Sequence, residues 1–224
     1  MTFGLRIVAL MLMLLTSIGV YGTLDALHAR GGTLTSIVIV LTLGFVAILF
    51  HELAHAAAAH LAGARVHAII AFPFRLRFRP RRIELIKRGA HHRGDLGGYV
   101  SYSLDRIDAR RKHAIIAAAG PLANLVLAVL AGTMAPLFDS SRAAAHAPVV
   151  AATVASRADG LPSDEEVRAW LAKRPDIHSG PPTLPIILFA FAVLSGGLGL
   201  ANLIPYGGSD GDHILNLWRR RAGS

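Results

Sequence analysis

At 224 residues the chain is long enough for one domain or a compact membrane bundle, and its 53% apolar content and mean hydropathy of +0.49 exceed the soluble-globular norm. The formal charge is +9, yet Lys and Arg collect between Arg65 and Lys112 and at the C-terminus; the apolar stretches between these clusters need lipid or a large core, which argues against a nucleic-acid binder. With no cysteine, a disulfide scaffold and a Cys-ligated zinc site are both excluded.

In chain order, Arg6 and the apolar run Ile7 to Val20 have the outline of a signal peptide. The run extends over residues 5–24, and no convincing small-x-small site follows it, so a retained span is expected. Further spans are expected at 34–62, 114–138 and 184–206, since ~20 apolar residues cross a ~30 Å hydrocarbon core. Residues 64–113 connect the second and third spans and hold 13 Lys or Arg from Arg65 to Lys112, which places them on the cytoplasmic side. Arg6 and Arg219–Arg221 belong on that side too, so both termini are expected to be cytoplasmic. The loop 139–182 then lies outside; in it Ala147 to Ala155 is too short to cross, and Ser163 to Glu166 reads as a capping box opening a short helix. Within the basic connection, Val66, Ala68, Ile70, Phe72, Phe74, Leu76 and Phe78 alternate with Arg75, Arg77 and Arg79, the period of a strand. Ile83 and Leu85 continue the pattern, and Gly97-Gly98-Tyr99-Val100 reads as a bend into another short strand. The fold expected is a membrane all-α bundle of about four helices with a small cytoplasmic β-hairpin element, a single membrane-embedded domain over 1–224.

The chemistry-bearing motif is His51-Glu52-Leu53-Ala54-His55, inside the second apolar run. Positions i and i+4 of a helix share a face one turn apart, so both imidazoles can reach one metal ion, with Glu52 beside it as general base. Three ionisable side chains in a span are costly unless they have a function. Zinc of this kind takes three protein ligands and leaves one position open. His60 is a poor third ligand, because five residues past His55 it points ~140° away around the helix. Asp210, after Asn202-Leu203-Ile204-Pro205, supplies a carboxylate at the cytoplasmic end of the last span. The run Leu34 to Phe50 covers ~25 Å at 1.5 Å per residue, so His51 is expected at a similar depth. An exposed turn, favoured by Gly207, Gly208 and Gly211, is the other reading of Asp210.

These residues resemble the site-2 protease family of intramembrane zinc metalloproteases, peptidase family M50. His51 to His55 with Ala59, Gly63 and Val66 is similar to the family's first motif. Leu96 to Val100 is similar to its cytoplasmic β-element near the substrate, Gly120-Pro121-Leu122-Ala123-Asn124 to its G-P-x-x-N segment, and Asn202 to Pro205 with Asp210-Gly211 to its N-x-x-P…D-G motif. The resemblance implies one zinc per chain held by His51, His55 and Asp210. It also implies Glu52 as catalytic base, a transmembrane protein or peptide as substrate, and an integral membrane protein, here expected in a bacterial cell membrane. Gly97, Gly98, Tyr99 and Val100 would hold the unwound substrate by strand addition. Asn124 and Asn202 either donate to the substrate or oxyanion, or bond helix to helix. Two departures stand out: Ser209 replaces the usual Leu before the Asp, and Asp212 replaces a Gly, which leaves Asp212 and His213 open as auxiliary metal contacts. The chain has no room for the PDZ insertion or CBS domain of many members, so any gating is expected from a regulatory membrane partner. The rival reading is an inactive scaffold that binds client helices; metal transport ranks last, because the first span carries no set of polar residues to line a path.

Overall fold

The computed structural model describes residues 3–86, 98–105, 107–155, 184–205 and 209–222. Among the described residues four helices and four strands follow in the order α1 (Phe3–Leu61), β1 (Arg65–Ala71), β2 (Phe74–Phe78), β3 (Arg81–Leu85), β4 (Gly98–Ser103), α2 (Ala109–Ala155), α3 (Leu184–Leu203) and α4 (Asp210–Ala222). Three stretches of these residues are long and apolar enough to cross a membrane: Gly31–Leu61, Ala109–Phe138 and Leu184–Leu203. The expected span at 5–24 falls in the N-terminal half of α1, which is helical up to a break at Gly32 (φ 74°, ψ 172°). Only glycine takes that backbone without steric cost, which is why the chain can change direction there and continue as helix.

The helices meet through small residues, as membrane bundles do when packing rather than water exclusion draws them together. A Cβ on Gly19 would come within 2.9 Å of Val193, one on Gly197 would collide with Thr16, and one on Gly196 would lie 3.3 Å from Ala128. The glycines of α3 thus seat it against the first half of α1 on one side and α2 on the other. Thr23 and Leu27 are buried, whereas Leu14, Leu15, Leu41, Leu122 and Val129 face outward, an apolar exterior suited to lipid.

Helix α1 ends in a Schellman motif. Gly63 takes a left-handed φ of 80°, its N–H donates to His60 O at 3.0 Å, and the Ala64 N–H donates to Ala59 O at 2.8 Å. The chain turns at once into an antiparallel sheet ordered β3-β2-β1-β4. This is a four-stranded sheet where the sequence suggested a hairpin element, and its inner strand carries buried Ala68, Ile69, Ile70 and Ala71. The alternation on β2 holds: Phe74, Leu76 and Phe78 share an exposed face with Ile83 and Leu85 of β3. Arg75 and Arg77 turn to the other face, where they and Arg82 pair with Glu84. The rings of Phe74 and of Phe45 on α1 meet edge to face with centres 5.8 Å apart.

Two further expectations are corrected. Helix α2 starts at Ala109 and continues past Phe138 to Ala155, so 139–155 is helix rather than loop, consistent with the alanine-rich sequence there. Asp210 opens a helix instead of lying in a turn. The capping box at Ser163 to Glu166 lies outside the described residues, as do Leu96 and Gly97.

Candidate metal centre

His51, Glu52 and His55 are all buried, between one and three turns before the end of α1. The i, i+4 spacing puts the two imidazoles edge to face, ring centres 4.7 Å apart, with their Nε2 atoms 3.1 Å from each other. Asp210 Oδ2 completes a triangle, 3.1 Å from His51 Nε2 and 3.3 Å from His55 Nε2. Ligand atoms bound tetrahedrally to zinc at ~2.0–2.1 Å sit ~3.3 Å apart, so this triangle has the dimensions that one ion requires. Among the described residues these three form the one such cluster. Two imidazoles and a carboxylate are a donor set of the catalytic zinc type, with a fourth position left for water or substrate. The backbone of α2 forms the floor: a Cβ on Gly120 would collide with His55 and lie 2.7 Å from His51 Nε2.

The ring nitrogens away from the cluster have their own partners. His55 Nδ1 donates to the Ile116 carbonyl at 2.6 Å, and since a carbonyl only accepts, the Nε2 of His55 presents a lone pair to the cluster. His51 Nδ1 faces the carboxamide of Asn124 at 3.2 Å. Asn124 is completely buried, and its backbone carbonyl accepts a 3.0 Å bond from Ser195 of α3.

The third corner is set by a helix start. Ser209 Oγ accepts from the Asp212 N–H at 3.1 Å and donates to Ile204 O at 2.7 Å, which caps α4 and ties it to the end of α3. Gly211 permits this approach, because a Cβ there would collide with the Leu203 carbonyl. Asp210 becomes the first residue of α4, aimed at the histidines, while Asp212 takes the third position and with His213 is not part of the cluster. Burial pushes the Asp210 carboxyl up, but the two imidazoles beside it outweigh that and hold it at about 2.

Glu52 lies against the sheet. A Cβ on Gly98 would be 2.7 Å from both Cγ and Oε1 of Glu52 and 2.6 Å from Ile70 O, so only glycine lets β4 pass this close. Oε2 of Glu52 is buried with no partner among the described residues. Tyr99 and Val100 pair with Ile70 and Ile69 on β1, which makes β4 the edge of the sheet next to Glu52. Asn202 is half-buried on the last turn of α3. The sequence pointed to Asn124 and the Gly98 strand without revealing what either touches. The Ile116 carbonyl carries no sequence signal at all, since any residue offers one.

The family model of peptidase family M50 matches residues 37–223. No curated protein and no solved structure matches the chain.

Proposed function

The chain belongs to peptidase family M50, a family of membrane-embedded zinc metalloproteases, and on that premise we propose that it is a zinc metalloendopeptidase cutting transmembrane substrates. The observation carrying this reading is the buried His51–His55–Asp210 triangle one residue from an unpartnered carboxylate oxygen of Glu52. His51, His55 and Asp210 would hold the ion, which when bound would supply a Lewis acid for the scissile carbonyl and for the attacking water. Glu52 takes the proton of the attacking water and returns it to the leaving amine. Gly98, Tyr99 and Val100 on the edge strand extend the sheet with the unwound substrate, and Asn202 faces it from the end of α3. The packing of Thr16 and Gly19 on α3 supports a fourth span at 5–24. The basic residues of 65–112 support a sheet and termini on the cytoplasmic side, with regulated intramembrane proteolysis as the setting.

Purified Glu52→Gln, compared with wild type on a co-expressed single-span reporter, tests the reading. It should keep its zinc and lose at least about a hundredfold in cleavage, as removal of a general base does. Equal cleavage by the two proteins would overturn it.

A further inference from the structure

The two imidazoles of the cluster are not held alike. For His55 the carbonyl of Ile116 leaves no choice of tautomer. For His51 the partner is a carboxamide, which offers an acceptor at one end and a donor at the other. If Nδ2 faces Nδ1, His51 carries its proton on Nε2, inside the cluster, and cannot ligate. If Oδ1 faces it, the proton is on Nδ1 and the Nε2 lone pair points at Asp210 Oδ2 and His55 Nε2. In the structure Nδ2 faces Nδ1 and Oδ1 has no partner among the described residues, so a half-turn of the amide exchanges one bond to His51 for another and breaks none at Oδ1.

We propose that Asn124 is a positioning residue whose carboxamide oxygen accepts the Nδ1–H of His51 and so holds its Nε2 lone pair on the metal, an inference that rests on the zinc reading above. This assigns Asn124 an acceptor's role, in place of the donor to substrate or oxyanion that the sequence allowed. Its placement is built by all three packed helices. Ser195 of α3 grips its backbone carbonyl. Gly199 of α3 leaves room for its stem, since a Cβ there would stand 3.2 Å from Asn124 Cβ and 2.9 Å from Pro121 O. The side chain thereby crosses to α1 with no freedom to withdraw, and α3, which carries no metal ligand itself, sets the orientation of one.

The test is zinc affinity, measured by chelator competition on detergent-purified protein, for wild type, His51→Ala, Asn124→Leu and Asn124→Asp. Asn124→Leu has similar bulk and no acceptor, and should bind zinc roughly 10–100-fold more weakly. Asn124→Asp keeps the acceptor and should bind at least as tightly as wild type, which a merely structural role for the amide would not produce. Unchanged affinity in Asn124→Leu, or a tenfold loss in Asn124→Asp, overturns the inference; if Asn124→Leu does not fold, the Asp variant decides alone. Zinc retained by His51→Ala would instead overturn the metal reading itself, whatever the Asn124 variants do.

Discussion

Glu52 depends on a residue that carries no side chain. Because β4 passes close enough for a Cβ on Gly98 to strike its carboxylate, Gly98→Ala should push Glu52 off its position, lowering kcat at least tenfold while zinc content stays near wild type. Paired kinetics and metal analysis check this, and loss of zinc together with activity would mean that the strand supports the ligands instead. The pH response of metal binding has a definite sign. Asp210, held at about 2, is ionised throughout the range from about pH 5 to 8, so it neither gains nor loses a proton there. Histidine binds zinc only through an unprotonated nitrogen, so zinc affinity should fall as pH falls across that window. A pH series of chelator competitions measures that slope; an affinity that rises on acidification would contradict histidine ligation.

Among the elements, α4 matters most for the site, because its first residue, Asp210, is the proposed third ligand. Ser209→Ala removes the cap that joins α4 to α3 and should cost about 1 kcal/mol of local stability, read as weaker zinc binding than wild type with the same one-site stoichiometry. The same Ser209 was a departure from the family pattern in the sequence, and a capping role accounts for it. The spans and the metal pair were legible because a hydrophobic run and an i, i+4 spacing are local properties. The start of α4 was not: Gly207, Gly208 and Gly211 have turn chemistry, and only the stacking of Gly211 on the Leu203 carbonyl turns that stretch into a helix entrance. Alternation likewise fixes which residues share a face of β2, but not which neighbour that face meets, as Phe74 meets Phe45 of α1.

At the scale of the whole molecule, one bundle brings residues 159 positions apart, His51 and Asp210, into hydrogen-bond contact. Among the described residues three helices are long and apolar enough to cross a membrane, and a fourth span at 5–24 would put the N-terminus on the same side as the sheet and α4. The chain has no cysteine, so single cysteines give an unobscured map. Cysteines placed at Thr2, Ser103 and Ala222 should all react with an impermeant thiol reagent only when the cytoplasmic face is opened, and labelling of Thr2→Cys from the opposite side would remove the fourth span. Everything else depends on the metal. The most direct test of the central claim is the zinc content of the purified protein beside that of Asp210→Ala. About one zinc per chain in wild type and far less in the variant is the expected result; a wild type without zinc, or a variant that holds as much, would contradict the account.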